Sequence, residues 1–433
     1  LIHIMSSRIG VDIGGTFTDF IVYDENDNKV IIDKIPTTPS DPEKAVIEVV
    51  KRNLNKDQIS KIDFFLHGTT VGLNALLERK GSKVGLLCTK GFRDIIEIRR
   101  GDRDEMYNLF WQPPPPLVPR YLRLEIEERL FADGKIHTDL NTNDVKKACQ
   151  NFIDEGVNSI AIAFMNAYSN KEHELLAKKT LIENGFKGEI SLSSLVSGEY
   201  REYERTTTTI IDAFVKARMS NYLDTLKNSL NEIGFKGSFL LTRSGSGSMT
   251  FDEASERPFE TIMSGPVAGA EGAGELSRKL KNTNMVTADV GGTSFDTCLI
   301  LDGRPQIQFE GKIVGLPLQS PWVDVRSIGA GGGSIAWFDT GGSLNQVAAG
   351  WGGQSTGREF LDFSADLSAY ATPALRKQCE ILSNATTFRF DASDLMPGAI
   401  GAGAFWSEMT NFANGQDDQT TADNIQAAWD AIK

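Results

Sequence analysis

Asp12-Ile-Gly-Gly-Thr-Phe-Thr-Asp19 decides the fold, because it returns 277 residues later as Asp289-Val-Gly-Gly-Thr-Ser-Phe-Asp296. Both copies read D-[IV]-G-G-T-x-x-D, and both lie between apolar or β-branched runs: Ile9-Gly-Val11 and Phe20-Ile-Val-Tyr23 around the first, Met285-Val-Thr-Ala288 and Thr297-Cys-Leu-Ile-Leu301 around the second. Two such runs joined by a Gly-Gly turn predict a β-hairpin whose loop passes close to something. Two such hairpins predict two similarly built lobes facing one another. The glycine pair lets backbone N–H groups approach an anion with no Cβ in the way, and Thr adds a hydroxyl donor. A carboxylate at the strand end can hold Mg²⁺ through water, or orient an attacking hydroxyl or water. The doubled motif is therefore read as a phosphate clamp. It is not a Walker A loop, since no G-x-x-x-x-G-K-[ST] occurs.

Between the copies the chain alternates strand-like and helix-like segments. Strands are expected at 61–66, 82–88, 159–164, 189–192 and 239–242; helices are expected at 70–79, 143–155 and 171–184. A long helical stretch follows at 199–230, with the threonines at 206–209 as its cap. This is α/β grammar. Pro113–Pro116 reads as a stiff surface loop.

The 433 residues carry 45 Lys and Arg against 58 Asp and Glu, a net charge of −13, which argues against a general nucleic-acid or anionic-membrane surface. No apolar run reaches the ~18 residues of a membrane span. The start lacks a basic, then apolar, secretory pattern. The four cysteines form no CxxC pair and the four histidines are scattered, so a disulfide framework and a His-rich metal site are not expected and a reducing cytoplasm fits.

The motif resembles the paired phosphate loops of the actin and sugar-kinase superfamily, and in particular the hydantoinase A / 5-oxoprolinase family. The resemblance covers residues 8–345. It is carried further by His67-Gly-Thr-Thr70 with the stretch that follows to Gly81, Thr89-Lys-Gly-Phe-Arg-Asp94, Pro116-Leu-Val-Pro-Arg120, Arg201-Glu-Tyr-Glu-Arg-Thr206, Ser264-Gly-Pro-Val-Ala-Gly269 and Ser327–Trp337. It implies an actin/sugar-kinase-like two-lobed nucleotide-binding α/β fold with a truncated second lobe. An N-terminal domain is expected at 8–195 and the first part of a catalytic domain at 196–345. It further implies an enzyme that uses ATP and Mg²⁺ to open a cyclic amide such as a hydantoin or 5-oxoproline, or the amide-activating subunit of one, with a hydantoinase B-type partner subunit. Ketone-activating carboxylase subunits look similar.

On this reading Gly14, Gly15, Thr16, Gly291, Gly292 and Thr293 cradle phosphates, and Asp12 and Asp289 are the catalytic and water-mediated Mg²⁺ residues. Asp19 and Asp296 either assist or tie their hairpins. Gly331, Gly332 and Gly333 are expected at the nucleotide's sugar or base. His67, Thr69 and Thr70 either touch substrate or phosphate, or serve as a buried histidine and a helix N-cap. Arg100, with Arg99 and Arg103, either holds an anionic substrate or is solvated. Ser264-Gly-Pro266 opens a small-residue helix, built for close packing or aimed at phosphate. Asp212 stands where the family usually shows Asn.

Composition changes near 345: residues 346–433 hold only 5 of the 45 Lys and Arg. This mostly helical segment, with helices expected at 375–383, 404–413 and 421–432, resembles the end of carbohydrate ABC-transporter solute-binding proteins around Arg389–Trp406. The chain thus reads as a fusion. Its alternatives to the enzyme are a carbohydrate-binding transport component, in which Trp406 could stack on a sugar, and an inactive truncated fragment.

Overall fold

The first glycine hairpin forms as the sequence predicts. In the computed structural model, which describes residues 7–14, 17–25, 27–38, 41–101, 103, 105, 107–281, 284–290, 295–309, 311–328, 419–420, 423–424 and 426–427, β1 (Ser7–Ile13) pairs antiparallel with β2 (Phe17–Asp24), and Asp12 lies opposite Asp19. The chain divides into two compact units, Leu1–Thr287 with Cys298–Val325, and Ala288–Thr297 with Arg326–Lys433.

In the first unit, alternation along β1 and β2 sends Ile9, Val11, Ile13, Phe20 and Val22 to one buried face. β3 (Lys29–Pro36) continues the antiparallel run. α1 (Pro42–Asn53) begins on a proline and buries Ala45, Val46, Val49 and Val50, the spacing of one helical face, against β2 and β3. The short α2 (Lys56–Ser60) is held by an Asn55/Gln58 capping box. β4 (Phe64–Thr69) then enters parallel to β1 and sets Gly68 opposite Asp12.

After α3 (Val71–Leu77) come β5 (Val84–Thr89), α4 (Ile95–Ile98), β6 (Arg123–Ile126), the hairpin β7 (Arg129–Leu130) and β8 (Ile136–Thr138), and α5 (Thr142–Asp154). The chain goes on through β9 (Ser159–Ala163), α6 (Glu172–Glu183), β10 (Glu189–Leu192) and α7 (Ser193–Val196). Four of these strands form a parallel sheet in the order β10-β9-β5-β6. β5 and β9 are buried at every position, which is why they read as unbroken apolar runs rather than alternating ones.

The long helix α8 (Glu202–Glu232) packs against β9 and β10, and also against α1 and α3. The threonine run does not cap it. Thr207, Thr208 and Thr209 lie inside the helix and donate their hydroxyls back to the carbonyls of Tyr203, Glu204 and Arg205 at 2.9, 2.8 and 2.7 Å. With their polar atoms satisfied within the helix, these residues are buried.

Buried charges fasten α8. Arg205, fully buried, donates to Ser193 Oγ (3.1 Å), to the Glu199 and Phe164 carbonyls (2.9 and 3.0 Å) and to Glu202, with its guanidinium over the Tyr168 ring. Asp212 accepts from Ser191 Oγ (2.6 Å) and from the Phe259 N–H (3.3 Å), with the Lys216 ammonium nearby. The carboxylate at this position thus ties α8 to β10 and to the turn at Pro258–Thr261.

β11 (Ser238–Thr242) pairs parallel with β4 and antiparallel with β12 (Ser248–Thr250), completing the order β12-β11-β4-β1-β2-β3. α9 (Phe251–Glu256) leads to α10 (Ser264–Leu280). A smaller cluster of Val267, Ala270, Cys298, Ile300 and Val323 packs beside α10. Met285 and Val286 of β13 (Met285–Val286) pair with Ile300 and Leu299.

In the second unit, β14 (Asp289–Val290) pairs with the first residues of β15 (Phe295–Leu301), Asp289 opposite Asp296, so the second motif also forms an antiparallel pair. Ser327, on β16 (Val325–Ile328), donates to the Asp296 carboxylate. Of the tail, residues 419–420, 423–424 and 426–427 are helical, in keeping with the helix expected at 421–432; those expected at 375–383 and 404–413 lie outside the described residues. No helix among the described residues is long and apolar enough to cross a membrane.

Candidate functional site

Parallel pairing of β1 with β4 and of β4 with β11 brings three strand ends to one edge of the sheet, where α3 and α10 begin. The carboxyl edge of parallel strands is where open α/β sheets receive ligands.

Asp12 sits at that edge. A Cβ on Gly68 would lie 2.8 Å from Asp12 Oδ1, and one on Gly265 would lie 3.2 Å from it. The carboxylate therefore occupies space that exists only because both neighbours are glycine. Gly265 is in the first turn of the 17-residue α10, whose amino end carries the positive pole of the helix. Gly14 donates its N–H to the Phe17 carbonyl (2.9 Å), and its own carbonyl accepts from Thr37 Oγ1 (3.0 Å). Gly15 and Thr16 lie outside the described residues.

Behind Asp12 lie two sets of hydrogen bonds. Val71 N–H donates to Thr69 Oγ1 (3.2 Å). Tyr222 O–H donates to His67 Nε2 (2.6 Å), and His67 Nδ1–H donates to the Val11 carbonyl (3.1 Å). This assigns His67 the Nδ1–H tautomer from its partners. Ser264 adds a cross-tie, accepting from Thr69 N–H (3.1 Å) and donating to the Thr69 carbonyl (2.8 Å). Thr70 stands at the head of α3 and its side chain makes no capping bond; its hydroxyl points at the Ile13 carbonyl (3.4 Å) and accepts from Asn74 (3.2 Å).

Sequence reasoning singled out His67 and Thr69 but missed Tyr222, which contacts His67 from 155 residues away. The HGTT stretch also lies within β4 up to Thr69, rather than between a strand and a helix. His67 is fully buried, so it acts through Tyr222 and Val11 as a positioning residue.

Burial holds the His67 imidazole at about 4, well below its ordinary value of 6.5, with the Val11 hydrogen bond opposing the shift. The folded form keeps it neutral while the unfolded chain takes up a proton below about 6.5. Its contribution is therefore complete above pH 6.5 and is lost as pH falls towards 4, by about 3 kcal/mol. Urea unfolding across pH 7 to 4 should show this loss in the wild type and not in His67→Gln. Equal losses in the two proteins would remove the assignment. Burial likewise pushes the Tyr222 hydroxyl well above its usual range, helped by the charges of Glu43 and Asp12, so it stays a neutral donor.

The other predicted residues fall elsewhere. Arg100 forms a two-pronged ion pair with Glu204 (2.7 and 2.6 Å), Arg99 donates to Tyr203 O–H (3.2 Å), and Arg99 and Arg103 both lie over the Trp111 ring. These arginines are thus committed to α8 and to a neighbouring ring. Asp19 pairs with Lys34 at 3.0 Å on the surface. Asp289 belongs to the second unit, where it is exposed on β14. Gly291, Gly292, Thr293, Gly331, Gly332, Gly333 and Trp406 lie outside the described residues.

Comparison with known proteins gives this geometry its context. Residues 8–185 match the hydantoinase/oxoprolinase N-terminal region, and residues 205–361 match hydantoinase/oxoprolinase. The family sequence therefore continues past the compositional break at 345 to residue 361. Nothing among the described residues supports a sugar-binding reading of the tail. The chain is 33% identical over 348 residues to the caprolactamase subunit alpha of Pseudomonas jessenii, covering 78% of this chain and 49% of that one. It is 32% identical over 363 residues to the acetophenone carboxylase gamma subunit of Aromatoleum aromaticum, covering 79% and 49%.

Among solved structures, a nucleotide-free acetone carboxylase, from work on ATP-dependent acetone carboxylation, superposes with a TM-score of 0.71 at 27% identity, covering 80% of this chain and 51% of that one. The ATP-dependent caprolactamase of Pseudomonas jessenii superposes with a TM-score of 0.70 at 32% identity, covering 79% and 51%. The chain spans about half the length of these relatives, two of which are named as subunits. Over residues 8–361, the chain belongs to the hydantoinase/oxoprolinase family.

Proposed function

We propose that this chain binds ATP and activates a cyclic amide for ring opening, as the amide-activating component of an ATP-dependent hydrolase. The carrying observation is the Asp12 carboxylate seated between Gly68 and Gly265, at the ends of β1 and β4 and the amino end of α10. Relatives described as ATP-dependent, one of them named for a lactam, give the reading its substrate class.

A ring amide resists hydrolysis because nitrogen feeds electrons to its carbonyl. Transfer of the ATP γ-phosphoryl group to the carbonyl oxygen, with ADP leaving, makes the carbon electrophilic; water adds there, the ring C–N bond breaks as nitrogen takes up a proton, and a second water hydrolyses the acyl phosphate so formed to carboxylate and phosphate. The protein's task is positioning and charge neutralisation. The bare backbone at Gly68 and Gly265 seats the Asp12 carboxylate, Gly14 brings the end of β1 to the same edge, α10 presents N–H groups to phosphate, and Asp12 orients the attacking oxygen or a hydrated cation. Gly15, Thr16, Gly291, Gly292 and Thr293 are further proposed phosphate contacts, Asp289 is proposed for the role given to Asp12, and Gly331, Gly332 and Gly333 for the nucleoside.

Among the described residues no group of three His, Cys, Asp or Glu could hold a metal ion. A single carboxylate suits a Mg²⁺ that keeps its waters and is carried by phosphate oxygens, whose charge it would neutralise. A separate hydantoinase B-type subunit is the proposed partner.

Calorimetric titration of the full chain with Mg·ATP tests this reading. Saturable binding is expected, about tenfold weaker in Asp12→Asn, the scale of one charge-assisted contact. No binding by the wild type, or equal affinity in both proteins, overturns it.

A further inference from the structure

A second cavity, of about 480 Å³, opens beside the carboxyl end of β11. Its wall comes from the loop entering α8, the turn between β11 and β12, the turn before α10 and the segment 319–321, all within the first unit. Arg201, Arg243 and Arg257 line it, together with the rings of Tyr200, Phe259 and Phe309. One buried carboxylate, Glu260, organises two of these cations: Arg243 Nη2 donates to Glu260 Oε2, and Arg257 Nη1 lies 2.9 Å from Oε1. Each guanidinium has five N–H donors, so a single shared carboxylate leaves donors of both side chains to face the cavity. The Arg201 guanidinium lies over the Tyr200 ring, 5.3 Å from its centre.

Backbone geometry singles out the same place. Nine non-glycine residues among those described have positive φ, and the two largest values, 77° at Arg201 and 80° at Ser246, both belong to this cavity wall. Such conformations persist where the surroundings impose them, and they concentrate at ligand clamps. Gly245, also in the wall, approaches Pro321 so closely that a Cβ would lie 2.6 Å from its carbonyl oxygen.

We infer that this cavity is a binding site for a small ring-bearing carboxylate, gripped at its anionic end by Arg243 and Arg257 and along its ring by Tyr200 and Phe259. The oriented pair of planar guanidiniums matches the two oxygens of a carboxylate. The aromatic wall matches a ring, and the volume is that of a small-molecule pocket. Glu199 also lines the cavity, so its wall carries three guanidiniums to two carboxylates, and this excess of cation favours an anion over neutral analogues. The cavity also adjoins the Asp12 edge through a short piece of chain. Glu260 lines the cavity, and Ser264, four residues on, ties Thr69 beside Asp12. Ser244 links the two, donating its N–H to the Glu260 carbonyl (2.7 Å) and accepting from Met263 N–H (3.0 Å). The inference stands on the cavity alone and holds whether or not the Asp12 edge takes ATP.

The test is equilibrium binding of benzoate to the full chain without nucleotide, with benzamide as the uncharged isostere and inorganic phosphate as the ringless anion. Benzoate should bind at least tenfold more tightly than either. Arg243→Met should weaken benzoate at least tenfold. Because that variant leaves Glu260 buried with one cation fewer, Arg243→Met/Glu260→Gln is measured beside it and should show the same loss, whereas Glu260→Gln alone should keep the preference for benzoate. Equal binding of benzoate and benzamide overturns the inference. So does tighter binding of phosphate, or benzoate affinity untouched in the double variant. Since no arm contains ATP, failure here is distinguishable from failure of the nucleotide reading.

Discussion

Arg205→Ala should lower the unfolding free energy by about 3–5 kcal/mol, the range for breaking a buried charge pair by removing one partner. The arginine is fully buried and satisfies four separate acceptors: Ser193 Oγ, the carbonyls of Glu199 and Phe164, and the Glu202 carboxylate. Truncation takes a donor from all four, although the Phe164 carbonyl keeps the Ala167 N–H (3.2 Å) and Glu202 keeps the Asn166 N–H (3.2 Å). It also disturbs Glu174, another fully buried carboxylate, which shares Ser193 Oγ with Arg205 and accepts from Ser193 at 2.6 Å and from Ser194 N–H at 2.9 Å. Burial already pushes the Glu174 carboxyl up, with these hydrogen bonds holding it down, so disturbing Ser193 adds to the cost. Arg205→Lys should recover only part of the stability, because an ammonium cannot reproduce the planar fork. Urea denaturation measures both variants, and a loss below about 1 kcal/mol for Arg205→Ala would refute the account.

Gly68→Ala should weaken Mg·ATP binding about 100-fold, the scale expected when a site group is displaced by roughly an ångström. The substitution should leave the fold intact. Gly68 lies in the extended strand β4, without positive φ, so its backbone accepts alanine and only space is at issue. The new methyl would meet Asp12 Oδ1 at 2.8 Å and the Gly265 Cα at 3.3 Å, forcing the carboxylate out of its seat and narrowing the approach to α10. Gly72→Ala is the control four residues on, where the nearest atom, Ile262 Cγ1, is 3.7 Å away and a methyl fits. Equal affinities in the two variants would show that the glycine cradle is no part of a nucleotide site.

Much of the fold was legible because its signals are local. The two Gly-Gly turns between alternating strands fixed both antiparallel pairs, with Asp12 opposite Asp19 and Asp289 opposite Asp296. The expected strand 189–192 is β10 residue for residue, and the expected helices 143–155 and 171–184 differ from α5 and α6 by a residue at each end. The threonine run misled because hydroxyls that favour caps can also fold back on their own helix when the exterior is apolar. At the site, the pattern around Asp12 was visible, whereas Tyr222 and Glu204 depend on how α8 packs across both sheets. Contacts at sequence separations of 155 and 104 leave no periodic trace. Gly68 and Gly265 were visible as glycines, yet their shared purpose appears only when α10 meets β4.

The hydrogen bonds from Tyr222 through His67 to Val11 have a sense of direction, and that constrains how this chain can change. His67 receives from the tyrosine and gives to the carbonyl, so an isostere of the wrong polarity at its position faces two neighbours with like groups. Phenylalanine for Tyr222 cuts the line, and a protonated His67 offers a second donor to a tyrosine that already donates to it. Sequence drift through this interior must therefore proceed by coordinated exchanges rather than one residue at a time, which makes the floor beneath Asp12 a unit to be kept or abandoned whole.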